Sequence, residues 1–181
     1  MTPTPNMRIP FLLFSITVAG GGCGSGPFAT DPGDVVLVEN ATAFTVDQSG
    51  GSFPAPVPQG AACNPGFWTY RVHLDTAQFD WDRCDVVGAG TDAASYMRSS
   101  GSRIMPAADL DAARSAARMV HVSGRNICGA DKPSLHMTVS SPAGSKVYGD
   151  DFYSCTKEDD VYVVSDELDA LSAQLHAFDQ R

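Results

Sequence analysis

The chain has 181 residues, of which 43% are hydrophobic and 18% are charged. This length suits one domain with a hydrophobic core and leaves little room for a second domain. Lys and Arg number 12 against 21 Asp and Glu, so the net charge is -9. A surface that binds phosphates needs an excess of positive charge, and the composition therefore excludes nucleic acid as the expected partner.

The N-terminal residues have the pattern of an export signal. Arg8 is followed by an uncharged, mostly apolar stretch, residues 9–19, which is too short to span a bilayer and fits the hydrophobic region of a signal peptide. Three glycines, a cysteine at position 23 and further small residues come next. We therefore predict that residues 1–22 form a signal peptide and that the mature chain begins at Cys23.

Small residues that end in Cys23, directly after the hydrophobic stretch, resemble the lipobox of bacterial lipoproteins. The resemblance implies cleavage after Gly22 and acylation of Cys23, which would anchor the chain to a membrane of the cell envelope, facing the periplasm or the exterior. Gly20 departs from the pattern, because that class usually has Leu there. Ordinary signal-peptidase cleavage, after Gly20 or Gly22, is the alternative and would give a soluble periplasmic or secreted protein.

The segment after Cys23 is predicted to be a tether. Residues 24–62 are rich in Gly, Pro and Ser, and a Pro-rich run within them is typical of extended chain. Residues 34–38 predict a short strand, which could dock on the edge of the domain, and residues 43–46 predict a weaker strand. We interpret residues 23–62 as a lipid-anchored linker to a folded domain at residues 63–181.

The predicted domain contains a similar pattern in its two halves, residues 63–124 and 125–181. The first half predicts a hairpin in which Leu74 faces Phe79, because apolar and polar residues alternate on both sides of a turn. The second half predicts a hairpin in which Val139 faces Val147 across a three-residue loop that ends at Gly144.

Each predicted hairpin is followed by an amphipathic helix. Pro106 suits the first turn of the first helix, which ends before Gly124, and Ser165 is a good cap for the second. Both helices have apolar residues at helical spacing. These stripes are Leu110, Ala113, Ala117 and Val120 in the first helix, and Leu168, Leu171, Leu175 and Phe178 in the second.

One apolar face per hairpin and one apolar stripe per helix predict a two-layer α+β domain. We expect a four-stranded antiparallel sheet with two helices on one face, built from a duplicated hairpin–helix unit. Four cysteines remain after Cys23, and an even number in an exported protein is typical of two disulfides. The duplicated order favours Cys63–Cys84 and Cys128–Cys155, with Cys84–Cys128 as the alternative connectivity.

No metal site, cofactor or catalytic residue is predicted. The cysteines are 21, 44 and 27 positions apart, whereas structural zinc sites usually contain closely spaced pairs. His73 and His136 are expected on polar strand faces, where Asp80, Asp82 or Asp150 could join them as metal ligands, but solvated side chains are the favoured interpretation. The S-x-x-K match at residues 154–157 falls at a strand end and lacks the companion motifs of that enzyme class.

These observations favour a non-enzymatic binding or interaction module of the cell envelope, attached to the membrane through its N-terminal lipid. Its protein partner is unknown. A secreted hydrolase with an unrecognised site, or an inhibitor of a secreted enzyme, is the alternative. A cleft that holds a histidine and carboxylates with strongly shifted pKa values would favour the hydrolase.

Overall fold

The structure is a computed structural model that describes residues 26–50, 57, 59–88, 94–125, 127, 129, 132–152 and 161–181. Three cysteines with predicted roles, Cys23, Cys128 and Cys155, lie outside these residues. The elements along the chain are β1 Ala43–Ser49, β2 Trp68–His73, β3 Gln78–Val87, β4 Ser95–Ile104, α1 Ala107–Ala117, β5 Ser134–Ser141, β6 Gly144–Asp150, β7 Tyr162–Val163 and α2 Ser165–Asp179.

The strands form one mixed sheet of seven strands in the order β4-β3-β2-β1-β5-β6-β7. Neighbouring strands are antiparallel, except that β6 and β7 are parallel. The α+β class is confirmed, whereas the predicted four-stranded antiparallel sheet is wrong. Two of the additional strands lack a hydrophobic pattern: β4 has no buried side chain and β7 has two residues.

The third additional strand, β1, lies at the centre of the sheet, between β2 and β5. Val46 is opposite Tyr70 on one side and Met137 on the other. Phe44 is opposite Val72 and Val139 in the same way. These side chains are buried in the main hydrophobic core. The weaker strand predicted at residues 43–46 is therefore confirmed, but it lies at the centre of the sheet and not in a tether.

The two hairpins are not copies of one unit. Strands β2 and β5 are both antiparallel to β1, so they run in the same direction, and both turn their apolar residues to the helix side of the sheet. However, β3 lies on one side of this pair and β6 on the other. The hairpins therefore have opposite hands, and no rotation superimposes them. The predicted duplication is wrong.

The first hairpin pairs in a register different from the predicted one, but its apolar side chains still lie on the predicted face of the sheet. Val72, rather than Leu74, lies opposite Phe79. The turn is correspondingly longer and includes Ala77, whose φ of 57° lies in the left-handed region. Because side chains alternate with a period of two, a shift by two residues leaves the apolar side chains on the core face.

The second hairpin differs from the prediction by one residue, which reverses the faces of its second strand. Ser141 pairs with Gly144 across a two-residue loop, so Val139 lies opposite Lys146. Val147 is consequently 56% exposed, while Tyr148 is fully buried. The predicted pairing of Val139 with Val147 is wrong, because a slip of one position moves every side chain to the other face.

Both helices cover one face of the sheet, as predicted. Helix α2 packs against β5, and α1 packs against α2. Ala113 and Ala117 of α1 are fully buried, and small side chains at these positions let the two helices approach closely. The stripe of α2 is buried over its whole length, at Leu168, Leu171, Leu175 and Phe178.

The predicted pair Cys128–Cys155 lies outside the described residues, and the described part of the chain contains one disulfide. It joins Cys63 to Cys84, one of the two favoured pairs, with the Cα atoms 5.6 Å apart. The bond fastens the segment before β2 to β3 and closes a loop with a sequence separation of 21 residues. In the chain-entropy model, a disulfide that closes a loop of this length stabilises the fold by roughly 3 kcal/mol.

Candidate functional site

A buried polar cluster lies where β6 ends and α2 begins. Asp150 and Asp151 are each only 1% exposed. The N-cap of α2 is Val164, which has no polar side chain, and the Asp151 carboxylate replaces the missing cap. It accepts hydrogen bonds from the backbone N–H of Ser165, at 3.1 Å, and from the hydroxyl of Ser123, at 2.5 Å. Ser165 is thus the first helical residue and not the cap that the sequence predicts.

Lys132 is the cation of this cluster. Its Nζ lies 2.8 Å from Asp150 Oδ2 and 2.8 Å from Asp169 Oδ2. The same ammonium group donates a hydrogen bond to the Ser165 hydroxyl. The other oxygen of Asp150 accepts a hydrogen bond from the backbone N–H of Phe152, at 2.8 Å. The buried carboxylate is therefore paired and hydrogen-bonded, as a buried charge must be.

A serine in contact with a lysine can serve as a nucleophile with its base, provided that the lysine is neutral. Burial lowers the pKa of Lys132, but hydrogen bonds and charges from Asp150 and Asp169 outweigh burial and raise the pKa overall. Lys132 is thus held as an ammonium and cannot take the Ser165 proton. This arrangement links three segments of the fold, and it does not activate a nucleophile.

A second polar cluster closes the other end of α2. The Tyr70 hydroxyl lies 2.7 Å from His176 Nδ1 and donates to Asp179 Oδ2 at 3.2 Å. Arg83 Nε lies 3.0 Å from the same carboxylate oxygen. Burial, together with the Asp179 carboxylate, raises the pKa of Tyr70, so the phenol stays protonated. These contacts attach the end of α2 to β2 and β3.

The sheet face opposite the helices, here called the outer face, is polar. The strand registers place on it Thr45, Asp47, Thr69, Arg71, His73, Asp80, Asp82, Arg98, Ser100, Ser102, His136 and Thr138. Charged residues of both signs alternate across it, and Arg71 is exposed near its middle. Neither helix covers this face.

Three carboxylates of the outer face have a cationic or imidazole neighbour. His73 Nε2 lies 2.9 Å from Asp80 Oδ2, and Arg98 donates two hydrogen bonds to Asp82. His136 Nδ1 lies 3.7 Å from Asp47 Oδ1.

The pKa values of these carboxyl groups shift in different directions. Burial raises the pKa of Asp80, but hydrogen bonds from Gln78, Ser102 and His73 outweigh it and lower the pKa overall. The Arg98 hydrogen bonds lower the pKa of Asp82, whereas burial raises that of Asp47.

The structure does not bring the predicted metal-ligand candidates together. His73 and His136 lie on β2 and β5, with β1 between them, and each contacts a different carboxylate. Asp150 is buried on the helix side and binds Lys132. Within the described ranges, no group of three or more His, Cys, Asp or Glu side chains could hold a metal ion.

A cleft of about 220 Å³ lies beside the disulfide, at the edge of the outer face. Its walls include Phe67, which is 53% exposed, and the ion pair between Arg98 and Asp82. No histidine lines this cleft, so it lacks the combination that the sequence analysis named as the mark of a hydrolase.

Comparison of the chain with protein-family models, with curated protein sequences and with solved structures finds no match. Among the described residues, no helix has both the length and the apolar character needed to cross a bilayer.

Replacement of Lys132 by Met should destabilise the fold, because the buried Asp150 carboxylate then loses its cation. We expect a loss of about 3 kcal/mol in the free energy of unfolding, measured in urea. Asp169→Asn is the matched control, since it removes the half-exposed partner of the same lysine and should cost about 1 kcal/mol or less. Equal losses in both variants would contradict the claim that the buried Asp150 carboxylate needs the positive charge of Lys132.

Proposed function

We propose that the protein is an exported, lipid-anchored binding module of the cell envelope, without catalytic activity of its own. The observation that carries the binding role is the outer face, which presents charges of both signs and is covered by neither helix. Polar surfaces of this kind give specificity through complementary charges. The serine–lysine contact gives the hydrolase alternative no support, because the neighbouring carboxylates raise the pKa of Lys132.

Export is supported by the signal-like N-terminal segment and by the Cys63–Cys84 disulfide, because disulfides persist mainly in oxidising compartments. The proposed acylation of Cys23 would provide stable membrane attachment without basic residues, which suits a chain of net charge -9.

The proposed anchor lies close to the core of the domain. Ala29 is buried, and its carbonyl accepts a hydrogen bond from the Tyr148 hydroxyl at 3.1 Å. Only five residues, 24–28, separate Ala29 from Cys23, so the two Cα atoms are at most about 22 Å apart when this stretch is fully extended. An acylated Cys23 would therefore hold the domain near the membrane surface, instead of on a long flexible linker.

The anchor is tested with Cys23→Ser, which removes the proposed acylation site. We expect this variant to move from the membrane fraction to the soluble fraction of the cell, because it lacks acyl chains. Ser25→Ala, a small change two positions along that leaves the cysteine, should stay in the membrane fraction. Membrane retention of both variants after a high-salt wash would show that Cys23 is not the anchor.

The outer face is tested by reversing one of its charges. Arg71→Glu changes an exposed residue at the centre of this face, and it should abolish capture of an envelope protein that the wild-type protein retains on a column. Arg118→Glu makes the same charge change at the C-cap of α1, on the helix side of the sheet, and should leave capture intact. Capture of the same protein by both variants would exclude the outer face as the binding surface.

A further inference from the structure

The two edges of the sheet differ in how well they are protected against pairing with another chain. At one edge, β7 has only two residues. At the other edge, β4 has ten residues, and no other described strand pairs with its free side. Short edge strands resist pairing, whereas a long regular edge leaves a row of unpaired backbone groups.

Strand β4 carries two charged side chains, Arg98 and Arg103, but both are engaged within the chain, with Asp82 and with the Phe178 carbonyl. It contains no proline, and its middle is the run Ser99-Ser100-Gly101-Ser102, whose small side chains allow another backbone to approach. Apolar side chains lie exposed on either side of this run: Met97 is 58% exposed and Ile104 is 67% exposed. A strand of this composition favours the addition of a further strand.

We propose that two copies of this chain pair through β4, antiparallel and centred on Ser100. In this register Tyr96 faces the partner's Ile104 on the outer face, and Met97 faces the aliphatic part of the partner's Arg103 on the helix face. Each exposed apolar side chain thereby gains a cross-strand neighbour, which is the contact that stabilises paired strands. The result would be one continuous sheet of fourteen strands across the two copies.

Charge repulsion distinguishes this register from one centred on Arg98. With the two-fold axis at Ser100, Arg98 faces the partner's Ser102, and the two copies of Arg98 are four residues apart along the strand, or about 13 Å. A register centred on Arg98 would place the two guanidinium groups directly opposite each other, which is destabilising. In the register centred on Ser100, β4 therefore brings apolar side chains together without placing like charges opposite each other.

Sedimentation of the purified protein, in a mild detergent that masks any acyl chains, tests the proposal. We expect the measured mass to rise with concentration from that of one mature chain to twice that value. A mass that stays monomeric at every concentration, or that exceeds the dimer, would overturn the proposal. Binding of an extended peptide to a protein that remains monomeric would assign the edge to a different kind of partner, and would overturn it as well.

Ser100→Lys separates dissociation from loss of folding. In one copy, residue 100 lies opposite Asp82, so a lysine there has a favourable neighbour. In the dimer, the same lysine would face its own copy across the axis. We therefore expect a folded variant whose monomer–dimer midpoint shifts to higher concentration. Thr69→Lys is the matched control, because Thr69 lies opposite the same Asp82 on its other side, away from the edge. An unchanged midpoint in Ser100→Lys would contradict the register.

Cysteine crosslinking tests the register directly. Residues on the two-fold axis have Cβ atoms close enough to form a disulfide, so Ser100→Cys should give an oxidised dimer linked through position 100. Ser102→Cys, on the same face of the same strand, would lie about 13 Å from its copy and should not crosslink. Peptide mapping identifies the linked position. Crosslinking at 102 instead of 100 would overturn the register.

Discussion

The fold depends on the pairing of β1 with strands on both of its sides. Phe44 and Val46 are completely buried, and their neighbours come from β2 and from β5. Full burial of side chains of this size contributes about 1.5–3 kcal/mol each relative to exposure. Without β1, the two hairpins would have no common partner, since no described residue of β2 pairs with β5. The sheet is therefore held together by seven residues near the N-terminus.

The central position of β1 has consequences for the rest of the protein. It pairs with residues about 25 positions away in β2 and about 90 positions away in β5, so its docking needs long-range closure of the chain. It also connects the region of the proposed anchor directly to the middle of the sheet.

The sequence predicted the elements in which hydrophobic residues recur with a clear period, and it missed strands that have no such pattern. The stripes of α1 and α2 and the alternation in β2 identified buried side chains, because their spacing reflects burial directly. Strand β4 has a polar and small-residue sequence with no buried side chain, so no hydrophobic pattern marks it. The face of β6 was wrong because it depended on the length of one turn, and a difference of one residue there reverses the strand.

The polar clusters could not be predicted because their members come from distant segments. Lys132, Asp150 and Ser165 meet only after β6, the start of β5 and α2 are in place. The one local signal was the pair Asp150-Asp151 directly after alternating strand residues. The two clusters with carboxylates on the helix side fasten the two ends of α2.

Hydrogen exchange of the backbone amides tests the central role of β1 most directly. The account predicts that the amides of Phe44 and Val46 exchange as slowly as those of β2 and β5, because all of them are released only by global unfolding. It also predicts that peptides from the free edge strand β4 exchange faster than β1. Exchange of Phe44 and Val46 at the rate of an unstructured peptide would contradict the account, since residues 43–49 would then belong to a linker and not to the sheet.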